Sequence, residues 1–214
     1  MKKACLWVEW ALLFIVAPVI VGLTARRAPW LWLLVGVTLC AAIWLRRHGN
    51  FNASRFWRSQ DAAAERRQLK AVLRRFFICA VALVALTTVF FPDKLFALPR
   101  TMPWQWSLML ATYPAFSVYP QELLYRAFFL ERYRALFPSV EWGLLASALV
   151  FGWLHLIFRN PLAVALTLVG GCFFAQTYAR TRSLRLVCFE HTLYGSLIFS
   201  VGLGEFFLQS AVSF

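Results

Sequence analysis

Charge is scarce in this chain of 214 residues: Asp, Glu, Lys and Arg make up 14% of it, and apolar residues 61%. A soluble domain carries about 25% charged and 45–50% apolar residues. The scarcity falls mainly on one sign, with nine acidic residues against 22 Lys and Arg, and His occurs three times. So little polarity excludes both intrinsic disorder and an ordinary water-soluble domain. Internal repeats and low-complexity tracts are missing, which removes collagen-like architectures. Five cysteines occur without a Cys-x-x-Cys pair, so neither a secreted disulfide scaffold nor a zinc module is encoded. Cys5, Cys40, Cys79, Cys172 and Cys188 all fall in apolar runs and read as small buried hydrophobes.

What the chain has instead is grease, with 21 Phe, 10 Trp and 6 Tyr and a mean hydropathy of +0.66. Apolar runs of spanning length recur at about 5–23, 29–45, 76–91, 105–120 continuing into 121–137, 141–158, 161–178 and 186–203. The runs are continuous, not alternating, so they predict helices and not a barrel. The fold class expected is an all-α, polytopic membrane helix bundle of seven to eight spans. The first run is too long for a signal peptide and carries Glu9, which reads as structural. Two weakly apolar remnants, 94–104 and 205–213, are expected at the interface.

With the N-terminus placed in the cytoplasm, 17 of the 22 basic residues fall on the cytoplasmic side and five (Arg26, Arg27, Lys94, Arg100, Arg159) on the other. This split satisfies the positive-inside rule. It makes 46–75 a basic cytoplasmic loop leaning on anionic lipid and accounts for the net charge of +13 without a nucleic-acid partner. Residues 1–100 thus read as N-terminal membrane helices with that loop, and 101–214 as a helical core.

Ionisable residues inside a bilayer are costly and mark function by default. Outside the loops there remain Glu9, Glu122, Arg126, His155, Glu190 and His191. Glu122 and Arg126 are four apart and share a helix face, so a buried pair that merely orients helices is one reading. Each histidine alone reads as a helix contact. Glu190 and His191 project about 100° apart and cannot face one point together. As a set, a carboxylate, two imidazoles and an arginine support hydrolysis in a membrane cavity. The carboxylate and one histidine would activate water, the other histidine would donate to the oxyanion, and the arginine would hold the carboxylate ionised. Glu122, His155 and His191 also match a zinc ligand set with an open water position. A proton relay in a transporter is a third reading.

The ordered series Gln121-Glu122-x-x-x-Arg126, Phe151-x-x-x-His155 and His191 resembles the CPBP family over roughly 105–205. These are intramembrane proteases related to the type II CAAX prenyl endopeptidase and to the bacteriocin-processing, Abi-like proteins. The resemblance implies a membrane-embedded peptidase acting on a membrane-associated peptide or protein by a glutamate-activated water. It places the catalytic core in 101–214, with no cofactor expected and zinc as the alternative. The expected location is the inner (cytoplasmic) membrane of a bacterium, and the scissile bond is expected in the cytoplasmic half of the bilayer.

Two positions depart from the pattern. The family carries two adjacent glutamates, and the first stands here as Gln121, an amide that cannot act as a base. Asn four residues after the last histidine is replaced by Gly195, leaving Asn160, Tyr194 or Tyr125 to supply a donor. The site expected is therefore Glu122, His155 and His191, supported by Arg126 and with Asn160 as a further member. A catalytically silent relative that binds or scaffolds is the alternative. Linear hydropathy puts the two histidines about 12 Å apart in depth, a gap that an earlier start of the last span or a break near Pro120 would close.

Overall fold

Three helix starts are written in the sequence as capping residues. Asp61 accepts from the Ala64 backbone N–H, Asn160 from those of Leu162 and Ala163, and Ser183 from that of Leu186; each satisfies N–H groups that the first helical turn leaves unpaired. The computed structural model describes residues 3–24, 30–48, 57 and 61–207. Among these no strand occurs, and the long helices form an all-α bundle: α1 (Lys3–Thr24), α2 (Trp30–His48), α3 (Ala62–Phe90), α4 (residues 103–132), α5 (Val140–Phe158), α6 (Pro161–Thr181) and α7 (Leu184–Ser200). Of these α1, α3, α5 and α6 are long and apolar enough to cross a membrane. The expected interfacial remnants become a short helix, Ala97–Thr101, and a 3₁₀ turn, Gly204–Phe207; residues 208–213 lie outside the described residues.

Successive helices alternate in direction, so their connections gather at two ends. At one end Arg132 and Tyr133 hold Glu9 of α1, Arg132 lies over the Trp44 ring of α2, and Glu65 of α3 accepts from Ser183 and Arg185. At the other, Gly22 faces Ile157, Phe158 packs on Phe207, Lys94 pairs with Glu205, and Trp106 donates to Ser200. Glu9 has the structural role expected of it: a partly buried clasp between α1 and the end of α4.

Three expectations need correction. First, the basic segment 46–75 is not a loop throughout: α2 runs to His48 and α3 begins at Ala62, 14 residues before the expected span. Gln68 and Val72 are buried on its inner face, so an amphipathic turn that hydropathy counts as polar is packed against the bundle. The part between, 49–60, lies outside the described residues except for Trp57. Second, there is no break at Pro120. α4 continues through two stretches of wide π turns, Pro114–Val118 and Leu123–Phe128. Proline lacks the N–H and crowds the carbonyl four residues back, and a π turn, with its longer reach, accommodates both within a continuous helix. Third, α4 stops at Arg132, and 134–136 form a 3₁₀ turn where a span to 137 was expected.

The core is built on close helix approach and interlocking rings. A Cβ on Gly171 of α6 would lie 3.1 Å from the Ala148 carbonyl oxygen of α5, so glycine lets these helices approach closely there without displacing one another. Phe14, Phe129 and Tyr133 meet edge to face, with centroids 5.1–5.8 Å apart, and fix α1 against α4.

Candidate active site

The site starts from a buried arginine. Arg126, fully enclosed in the second π stretch of α4, presents Nε to Glu122 Oε2 at 3.3 Å, one turn back. Its Nη1 donates to Ser147 Oγ of α5 at 3.1 Å, and its Nη2 reaches the Gly171 carbonyl of α6 at 3.5 Å. The guanidinium lies over the Phe151 ring, 4.8 Å from its centroid. Three helices thus hold one cation. Its charge keeps the carboxylate of Glu122, also fully buried, paired in a medium where an isolated charge would be prohibitive.

The other oxygen of Glu122 meets His191. His191 Nδ1 is 2.8 Å from Glu122 Oε1, so the carboxylate accepts from Nδ1–H and Nε2 is left for the cavity. The ring is stacked on Phe174 at 4.5 Å and met edge-on by Phe151 and Tyr113 at 5.6 and 6.0 Å. His155 sits at the C-terminal end of α5, where its Nδ1 donates to the Phe151 carbonyl at 2.7 Å and its ring lies 4.8 Å from the Phe151 ring. A carbonyl only accepts, so a neutral His155 offers the cavity an acceptor at Nε2, not the oxyanion donor expected from the sequence. The two imidazoles pack on the same phenylalanine. The expected separation in depth does not keep them apart: α7 begins at Leu184, two residues before the expected start, and both histidines line one cavity.

Both histidines line a cavity of about 440 Å³, a size suited to a small ligand or a short stretch of peptide. Its walls are mostly aromatic and aliphatic, with Tyr113, Ser117, Gln121, Thr167 and Tyr194 as polar points. Glu122 is not on the wall; it stands behind His191. Its neighbour Gln121 is on the wall, donating to Ser117 Oγ at 2.9 Å while its Oε1 is buried without a partner. Asn160 spends its side-chain oxygen capping α6 and does not line the cavity. Tyr125 is buried in the core away from the cavity wall. Tyr194 lines the wall, but its hydroxyl oxygen is buried, beside the Cys79 thiol.

Gly195 explains a residue that sequence reasoning missed. A Cβ at this position would lie 2.2 Å from Tyr113 Oη and 2.4–2.5 Å from its ring carbons. Tyr113 of α4 therefore fills the space that a side chain on residue 195, one turn beyond His191, would occupy. Its hydroxyl makes no hydrogen bond to a described residue and belongs to the cavity wall. Arg75 was also missed. Read as part of a lipid-facing loop, it turns inward from α3 to pair with the fully buried Glu190, reaches Gln176 and Thr177, and lies 4.2 Å over the Phe173 ring. Glu190 and His191 thus face different partners, as their angular separation requires, and Glu190 does not line the cavity. The only sequence signal for Arg75 was an unmatched acidic residue in the last span.

Among the described residues no three His, Cys, Asp or Glu side chains converge as a metal-binding group. Both Glu122 oxygens face protein cations or N–H donors, so Glu122, His155 and His191 do not fit a zinc site in this arrangement.

Residues 103–197, which include Glu122, Arg126, His155 and His191, match the family model described as Type II CAAX prenyl endopeptidase Rce1-like. No curated protein and no solved structure matches the chain.

Proposed function

We propose, for a chain whose residues 103–197 match the Rce1-like type II CAAX prenyl endopeptidase family model, that the cavity hydrolyses a peptide bond of a membrane-associated protein or peptide, with His191 as the base. The observation that carries this reading is the 2.8 Å contact of Glu122 with His191 Nδ1. It leaves Nε2 at the cavity, aimed and supported from behind as in carboxylate–histidine dyads generally. In this reading His191 Nε2 takes a proton from water as the water oxygen bonds to the carbonyl carbon. Glu122, paired with Arg126, stabilises the imidazolium. The Tyr113 hydroxyl, which takes the space a side chain at position 195 would fill, donates to the oxyanion. The imidazolium then returns its proton to the leaving amide nitrogen as the C–N bond breaks. His155 Nε2 accepts a hydrogen bond from substrate or water. Gln121 takes no part in proton transfer, and no step passes through a metal.

Detergent-purified protein and a panel of quenched fluorogenic single-span peptides test the proposal. Turnover should disappear in His191→Ala and fall steeply in His155→Ala; undiminished cleavage in both variants sinks it. A second reading, a relative that binds peptides without cleaving them, is favoured by Gln121 standing on the cavity wall. It predicts a silent natural protein in which Gln121→Glu alone brings activity.

A further inference from the structure

Most exposed basic side chains gather at one end of the bundle, and most of the cavity wall lies in the other half. α2 ends on Arg46 and Arg47, α3 begins through Arg66, Arg67 and Lys70, and α6 ends through Arg180 into Arg182, all at one end. At the other end the basic residues among those described are Lys94, Arg100 and Arg159. There Lys94 pairs with Glu205, and Arg100 folds back onto the Leu95 and Phe96 carbonyls. The positive-inside rule assigns the first end to the cytoplasm.

Most of the cavity wall is drawn from the other half, while Gln121 of α4, Phe173 and Phe174 of α6 and His191 of α7 reach past the midpoints of their helices toward the basic end. The wall takes Val21 from the last turn of α1, Leu83 from the outer part of α3, Ile157 and Phe158 from the end of α5, Leu166 from the start of α6, and Phe199 from the end of α7. Toward the basic end it is backed by the buried Glu122–Arg126–His191 cluster and the Arg75–Glu190 pair, four charged side chains and an imidazole packed between α3, α4, α6 and α7. A peptide coming from the basic side would have to displace both pairs, and separating buried charges from their partners is strongly unfavourable. On the other side the wall is apolar and aromatic. Phe158 and Phe207 flank His155, Phe207 also touches Phe199, and the turn that carries Phe207 is tethered by the Lys94–Glu205 pair.

We infer that the cavity is served from the face opposite the basic loops, so that its substrate is an apolar peptide segment presented at the non-cytoplasmic side of the membrane. This rests on reading the cavity as a peptide site and departs from the expectation of a scissile bond in the cytoplasmic half. A segment confined to the cytoplasmic leaflet meets the wrong end of the bundle. A segment already translocated, or the outer end of a membrane-spanning one, meets Phe207 and then His155.

Thiol accessibility tests the inference without any substrate. Cys79 lines the cavity and serves as reporter in a protein whose Cys5, Cys40, Cys172 and Cys188 are replaced by Ala. Ala63→Cys at the start of α3 and Asp93→Cys after its end, both exposed and each introduced separately, mark the two faces. With a charged methanethiosulfonate, Asp93→Cys should react in intact bacterial host cells and Ala63→Cys only in inside-out vesicles. Cys79 should react severalfold faster in intact cells than in inside-out vesicles, and faster still with Phe207→Ala. The inference is overturned if Ala63→Cys reacts in intact cells, or if Cys79 is not faster from the outer face. Labelling proceeds whether or not the protein cleaves anything, so it fails separately from loss of turnover in His191→Ala.

Discussion

Glu122 touches no cavity surface, yet each of its oxygens has a defined task, one orienting His191 and the other facing Arg126. It is a positioning residue, and its loss should lower kcat with little change in KM. In a serine protease the comparable carboxamide exchange costs about 10⁴-fold, and a loss on the order of 10³–10⁴-fold is expected for Glu122→Gln. Because that change leaves Arg126 buried without its counter-charge, Glu122→Gln combined with Arg126→Met is the companion variant. It should refold and show the same kcat loss, read from steady-state cleavage of a fluorogenic peptide. The pairing of Tyr113 with Gly195 makes a second prediction. Tyr113→Phe keeps the ring and removes the donor, so kcat should fall about 10²–10³-fold, as for one oxyanion donor. Gly195→Asn drives a Cβ into Tyr113 and should destabilise the protein, whereas Gly195→Asn with Tyr113→Ala opens room for the amide. Thermal unfolding and kcat, measured together on these variants, distinguish a lost donor from a lost fold.

At the scale of the helix, α3 shows what hydropathy cannot resolve. Arg74 and Arg75 are adjacent in one basic run and indistinguishable by composition. The helical phase turns Arg74 to the outside and Arg75 toward Glu190. Arg75→Met should therefore destabilise by about 3–5 kcal/mol, because Glu190 stays behind as an unpaired buried charge. Arg74→Met should fall within about 0.5 kcal/mol of the natural protein, and Arg75→Met with Glu190→Gln should recover most of the loss. Denaturant titration in detergent followed by tryptophan fluorescence reads all three. The spans themselves were legible, since α1, α5 and α6 begin and end within a few residues of the apolar runs. Partners such as Arg75 for Glu190, or Tyr113 for Gly195, depend on which helices pack together, and a one-dimensional pattern does not contain that.

For the whole molecule, the order of motifs on α4, α5 and α7 was enough to bring Glu122, Arg126, His155 and His191 to one region, because the packing of α4 to α7 does the rest. The division of labour among them was not legible. Neighbouring residues on one helix look alike in sequence, yet Gln121 reaches the cavity while Glu122 lies behind a histidine. Metal content is the corresponding whole-protein measurement. An active preparation purified without chelator should hold less than stoichiometric zinc, and its turnover should be unchanged by chelator; loss on chelation with recovery on added zinc would reverse the assignment.

The wide turns of α4 bear on the chain's tolerance of length change. In a regular helix, removing one residue rotates everything after it by about 100° and would swing Glu122 away from His191. A π turn behaves as a helix that has absorbed an extra residue. Shortening Pro114–Val118 by one would relax that stretch to ordinary helix and leave the phase of Gln121, Glu122 and Arg126 intact. The stretch just before the reactive groups is thus a place where one residue can be lost among descendants of this chain without erasing the dyad, a freedom that the regular turns of α6 and α7 do not have.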